Sequence, residues 1–302
     1  MKRIKALVYA TGLIVLGILP SSATLRIVAT TPDLADITRQ IGGDLVKVES
    51  LAKGTEDIHA VPQKPSFIPK LNQAEGVVLI GLEAEHAFLP ALLDVAQNPN
   101  ILRDRPGYID CSAHLVPLDI PTNLSRAEGE LHAQGNPHYN FAPQYGGLIA
   151  DTIAEGLSRL DPAHADVYAR HRDAFKKELA GKIEEWKKIA APLRGVKAIS
   201  HHADLAYFAD FLKLDMVGTI ELKPGIAATP RHLEEMVGLM KRDKVPLIIH
   251  EIQYPKDTAE WVAHETGAKI ADIAAMAGAF PDSKTYFGMI DHNIHALLDA
   301  VK

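Results

Sequence analysis

Cysteine is nearly absent: 302 residues carry one thiol, Cys111. A single thiol excludes an intramolecular disulfide, so the core must hold by packing. Net positive charge is also missing. The formal charge is −6, and no Lys/Arg cluster occurs beyond the extreme N-terminus. The electrostatic footprint of nucleic-acid binding is therefore lacking, and no nucleic-acid partner is expected. Neither an HExxH motif nor a Gly-x-Ser-x-Gly elbow is present, which removes two common hydrolase signatures.

Long apolar runs are missing apart from one near the start. Met1-Lys2-Arg3-Ile4-Lys5 is basic, Ala6 to Pro20 is apolar, and Ser21-Ser22-Ala23 are small. The run falls short of the roughly 20 residues that a spanning helix needs. This layout predicts a cleavable signal peptide over residues 1–23, cut near Ala23, and an exported protein. No cysteine stands at the cleavage point, so the expected product is soluble and not a lipoprotein.

What is present is an ordinary globular composition, 47% hydrophobic and 23% charged, with 14 histidines. Short β-rich runs at 25–31, 46–52, 76–82, 196–202, 216–222, 247–252 and 269–275 alternate with amphipathic segments. That alternation predicts an α/β fold with mainly parallel sheets. Residues 142–191 lack strand signals and read as helix, broken at Asp161-Pro162. Asp161 suits an N-cap and Pro162 the first helical position, so a helix of about 28 residues, roughly 42 Å, should follow. Ala165, Tyr168, Ala169, Phe175, Leu179, Ile183, Trp186 and Ile189 recur at helical spacing and form its apolar face. The expected organisation is an N-terminal lobe (24–141), a helical segment with one long linking helix (142–191) and a C-terminal lobe (192–302). A gap-free match of 32–51 on 203–222 pairs Asp33, Leu34, Ala35, Asp44, Val46 and Leu51 with Asp204, Leu205, Ala206, Asp215, Val217 and Leu222. The two lobes are thus expected to be similar.

Four loops place a candidate metal ligand at or past a strand's carboxyl end, where open α/β sheets bind ligands. They hold His59, His138, the tandem His201-His202, and Asp282. Neighbouring strand residues face opposite ways, so one member of the tandem pair should face the site. Spacing by itself does not choose between them.

The chain resembles the zinc/manganese family of periplasmic solute-binding proteins of ABC importers, also called cluster A-I or cluster 9. The matching pieces are residues 27–31, Asp57-Ile58-His59 leading to Pro65-Ser66, Gly81-Leu82-Glu83, Asn136-Pro137-His138, His202 five residues before Tyr207-Phe208, Glu251, and Asp282-Ser283 before Met289. The resemblance implies two lobes with the metal in the cleft between them, and a monomer that hands the ion to an inner-membrane ABC permease. It implies ligation by His59, His138, His202 and Asp282, with Tyr207 favouring His202 over His201.

Three imidazoles and one carboxylate suit tetrahedral Zn2+, with Mn2+ as the alternative. Four protein ligands leave no open position for a catalytic water, so a binding role is expected and not an enzyme. Rival readings are a secreted zinc chaperone and a metallohydrolase with Glu251 or Asp57 as base. Many zinc members of the family carry a long His-rich loop before the second ligand. Here 125–135 is short and holds only His132, which with Glu130 could recruit ions. His114, His164, His171, His264, His292 and His295 read as surface or hydrogen-bonded residues. His86 and His250 read as structural, and Glu251 as a partner for a ligand imidazole. Release is expected to need rearrangement near 125–135 or the His202 segment.

Overall fold

The computed structural model describes residues 24–122 and 132–302. The expected signal peptide and Glu130 lie outside the described residues. Among the described residues, no helix is long and apolar enough to cross a membrane.

The N-terminal lobe is built on β1 (Leu25–Ala29), α1 (Pro32–Gly42), β2 (Val46–Ser50), α2 (Phe67–Asn72), β3 (Gly76–Leu79), α3 (Leu89–Ala96) and β4 (Tyr108–Asp110). Helices α4 (Gly146–Leu160) and α5 (Ala165–Ile189) follow. The C-terminal lobe holds β5 (Lys197–Ser200), α6 (Ala206–Leu212), β6 (Asp215–Thr219), α7 (Pro230–Asp243), β7 (Leu247–Glu251), α8 (Asp257–Thr266), β8 (Lys269–Ile273) and α9 (Tyr286–Ala300). Each lobe has one parallel sheet, ordered β2-β1-β3-β4 and β6-β5-β7-β8. The α/β class with two parallel sheets is as expected.

The two strand orders are equivalent, as the internal repeat requires. The displacement that sets Pro32 on Ala203 also sets Gly76, the start of β3, on Leu247, the start of β7. It superposes two buried aspartates, Asp33 and Asp204. β4 leaves no strand signal in the sequence, because three residues are too few to show a period of two.

Strand side chains alternate between faces, and the core follows that period. Ile27, Ala29, Val78, Ala198, Leu247 and Ile249 enter one central cluster with α1, α4, α5 and α9. Val28, Val77 and Leu79 face outward onto α2 and α3. Ile199 and Ile248 face outward onto α7 and α8. Strands covered on both faces read as continuous apolar runs, which is the parallel-sheet signature.

α5 spans 25 residues, roughly 38 Å at about 1.5 Å per residue. Its buried face is Tyr168, Phe175, Leu179 and Trp186. Near its start His171 Nδ1 bonds the Ile41 carbonyl of α1 at 2.9 Å, and near its end Trp186 Nε1 donates to Asp291 of α9 at 2.6 Å. One rigid element thereby touches both lobes. Its start departs from expectation. Residues Pro162–His164 form a 3-10 turn, and Asp161 binds His164 Nδ1 (2.7 Å) and the Tyr168 hydroxyl (2.9 Å) instead of a backbone amide.

Candidate metal centre

β2 delivers the chain to Asp57, whose Oδ1 accepts the His59 amide at 2.9 Å and opens the 3-10 turn Ile58–Ala60. His59 Nδ1 meets the Ala84 carbonyl at 3.1 Å. A carbonyl only accepts, so Nδ1 carries the proton and Nε2 is left to face the cleft. There it lies 3.2 Å from His138 Nε2. Zinc–nitrogen bonds of about 2.0–2.1 Å in a tetrahedron put neighbouring ligand atoms roughly 3.3 Å apart. The two nitrogens already stand at that spacing.

His138 is held by its own loop. Asn136 Oδ1 accepts the His138 amide at 3.0 Å, while Asn136 Nδ2 donates to Asp119 and to the Ala203 carbonyl. The Tyr207 hydroxyl on α6 donates to the Asn136 carbonyl at 2.8 Å and accepts the Leu118 amide at 2.8 Å. Tyr207, five residues past His202, therefore ties the His138 loop to the C-terminal lobe.

β5 ends at Ser200, so the tandem histidines lie in the turn beyond the strand. His202 turns toward the cleft, its ring centroid 5.9 Å from His59 and 5.7 Å from His138. His201 turns away and stacks on Tyr254 at 4.4 Å. His202 Nδ1 lies 2.6 Å from Glu221 Oε2. Glu221 stands two residues past β6, placed by its amide bond to the His201 carbonyl. The expected partner of the ligand imidazole, Glu251, does not fill this place. The carboxylate of Glu251 instead accepts the backbone amides of His201 (3.1 Å) and His202 (3.4 Å), fixing the turn and not the ring.

Burial, reinforced by neighbouring imidazoles, pushes the His59 and His138 pKa values well below the ordinary histidine range. Both are neutral near pH 7 and offer lone pairs. Burial works against charge on His202 too, but the Glu221 hydrogen bond and negative charge outweigh it and raise the pKa. His132 is partly buried, and burial first, then His86 and His202, brings it down to about 4. Its ring centroid is 4.8 Å from that of His59. One ring nitrogen from each of His59, His132 and His138 lies within 4.8 Å of the others. A solvent-facing opening of about 200 Å³, lined by Asp119, His132, Asn136, His138 and His202, leads to them.

Asp282 is not brought to this cluster. Its carboxylate is 69% exposed and sits 3.0 Å from His292 Nδ1 on α9. The cause is the turn after β8. Gly278 has a φ of 84°, its amide bonds the Ser283 carbonyl at 2.6 Å, and the Ser283 hydroxyl accepts the Phe280 amide at 2.8 Å. That closed turn points Asp282 to solvent, while Ala275 and Met276 line the cavity behind His138. His250 is structural, as expected: Nδ1 meets Asp272 and Nε2 meets the Tyr254 carbonyl.

Over residues 27–300 the sequence matches the family described as zinc-uptake complex component A, periplasmic. The chain belongs to this family. Membership makes it a metal-binding component of an uptake system, and the resemblance read from the motifs holds. It is similar to the iron-binding protein YfeA of Yersinia pestis, 23% identical over 90% of this chain and 85% of that one. It is also similar to the manganese ABC transporter substrate-binding lipoprotein PsaA of Streptococcus pneumoniae, 23% identical over 93% and 90%. A crystal structure of ZnuA superposes with a TM-score of 0.78 at 27% identity, covering 93% of this chain and 100% of that one. A zinc-bound ZnuA deletion mutant gives 0.77 at 27% identity, over 92% and 98%.

Proposed function

We propose that this protein is an exported, high-affinity zinc-binding protein that delivers the ion to the membrane permease of an ABC importer. His59, His138 and His202 hold the ion. The observation that carries the reading is the 3.2 Å approach of His59 Nε2 to His138 Nε2, with His202 facing both. Two like ring nitrogens at that distance match an edge of a tetrahedral zinc site. The His59 ring is tied by Ala84 and the His202 ring by Glu221, and Asn136 holds the His138 backbone.

Nitrogen donors favour zinc over manganese, which suits carboxylate and water oxygens. Manganese is the second reading, supported by relatives named for it. A competition titration of the metal-free protein with Zn2+ and Mn2+, beside His202→Ala, tests both. Tight one-to-one zinc binding that is weakened in the variant supports the proposal. Preference for manganese changes the cargo, and absence of a tight site for either ion refutes the reading.

A further inference from the structure

We propose that His132 supplies a fourth imidazole to the ion held by His59, His138 and His202, closing the site from the mouth of the cleft. This rests on the metal-binding reading above and adds a ligand to it.

Three observations place His132 there. Its ring lies over that of His59, with centroids 4.8 Å apart and planes tilted by 35°. Its ring nitrogen joins those of His59 and His138 within a 4.8 Å span, so a small ring rotation brings all three to the roughly 3.3 Å spacing of a tetrahedral zinc shell. Its backbone is fixed to the loop that carries His138. The Gly135 amide donates to the His132 carbonyl at 3.0 Å, and the Asn136 amide donates to the Leu118 carbonyl at 2.9 Å. Gly135 has a φ of 112°, and a Cβ there would meet Pro117 at 2.6 Å and the Leu118 carbonyl at 2.9 Å. Only glycine permits this turn. From the turn after β3, Glu83 Oε2 accepts the Ala133 amide at 3.3 Å.

The competing carboxylates have other partners. Asp282 pairs with His292 at the surface. Asp57 Oδ1 accepts the His59 amide, and Asp204 shares a hydrogen bond with Glu251. His132, which also hydrogen-bonds the Leu82 backbone, stands at the open side of the three imidazoles and nearer to His59 (4.8 Å) than His86 does (6.0 Å).

Two properties follow. A shell of four nitrogens discriminates against Mn2+, which a carboxylate in the fourth position would help to bind. His132 also sits on a surface turn, so it is the last ligand to engage and the first to leave, and it governs the release rate.

The test uses the full mature chain with His132→Ala and His132→Gln, beside His202→Ala and Asp282→Ala. Zinc affinity is read by competition with a chromophoric chelator, release by stopped flow, and geometry by the visible absorption of bound Co2+. The expected result is zinc binding weakened by about tenfold or more in both His132 variants, as befits loss of one of four ligands. Release becomes faster, and the intense four-coordinate Co2+ bands fall. Asp282→Ala behaves as the parent. If the parent and both His132 variants share affinity, release rate and Co2+ spectrum while His202→Ala is weak, the inference is overturned and the transport reading stands. If the parent itself has no tight zinc site, both fail.

Discussion

Glu221 offers a sharp test of how the centre is held. Its Oε2 lies 2.6 Å from His202 Nδ1, with both side chains largely buried. A carboxylate can only accept, so it fixes the proton on Nδ1, turns Nε2 to the cleft and makes that nitrogen more basic. Glu221→Gln keeps an acceptor of nearly the same shape and removes the charge. Loss of such a partner weakens metal binding about 10- to 100-fold, or about 1.4 to 2.7 kcal/mol.

A second effect runs the other way. Glu221 raises the His202 pKa, so protons compete with the ion, and Glu221→Gln relieves that competition. Measurement at pH 8 weakens this proton competition relative to pH 7 and so favours the orientation effect. The assay is a chelator-competition titration with zinc, repeated in a His202→Ala background. The substitution should cost its full factor in the parent and less than about threefold beside His202→Ala, because the two residues act as one unit. Equal costs in both backgrounds, or unchanged affinity at pH 8 in the parent, would refute the assignment.

Other perturbations have equally definite outcomes. Tyr139→Phe removes a buried hydroxyl that donates to the Ile80 carbonyl at 2.6 Å, and should lower stability in urea by about 1–3 kcal/mol. Gly54→Ala places a Cβ within 2.4–2.5 Å of backbone atoms of residues 277–279. Backbone cannot yield as a side chain would, so this variant should show both a lower melting temperature and weaker zinc binding. For the metal-free protein, His59, His132, His138 and His201 have folded pKa values below the ordinary 6.5. The unfolded chain then binds more protons, so their contribution is intact above about pH 6.5 and is lost as pH falls toward 4. His202, with its raised pKa, contributes oppositely, being favourable below about 6.5 and fading as pH rises through its folded value. Buried Asp33 and Glu85, raised to about 6 and about 7, also favour the fold as pH falls, so the histidine share is read by comparison: His201→Gln should shift the pH 7 to pH 5 change in melting temperature toward greater stability at pH 5, and an identical change in parent and variant would contradict the burial argument.

Much of the fold was legible because its signals are local. Apolar runs flanked by turns marked seven of the eight described strands, and the spacing of Tyr168, Phe175, Leu179 and Trp186 marked the linking helix. His59 and His138 were legible because each follows a turn that fixes a short loop. Two placements escape the sequence for different physical reasons. Glu221 reaches His202 across the ends of β5 and β6, a contact made by parallel pairing between segments distant in sequence. Asp282 has the right residue type after the right strand, yet the hydrogen bonds of the Gly278 to Ser283 turn decide its direction. The apolar runs overshoot the strand ends by two or three residues at β1, β2, β3, β5, β6 and β8, since residues such as Thr30 and Ile220 keep backbone bonds to a neighbouring strand while the chain already turns.

Ion capture in this architecture draws little on lobe motion. α5 is bonded to α1 through His171 and to α9 through Trp186. The Tyr286 amide donates to Asp36 at 2.8 Å, and Asn140 Nδ2 donates to both Asp33 and the Ala275 carbonyl, so further bonds link the lobes. Gly54 seats backbone directly on backbone beneath the cleft. With His59 and His138 already at ligand spacing, binding replaces one hydrogen bond between imidazoles and orders few groups. Little binding energy is then consumed by closure, which favours affinity. The same preorganisation makes release the harder step, because a partner can shift the equilibrium only by preferring the metal-free arrangement. The permease must therefore act by breaking the few hydrogen bonds that hold the ligand-bearing turns, at 132–136 and at His202, and not by prising the lobes apart.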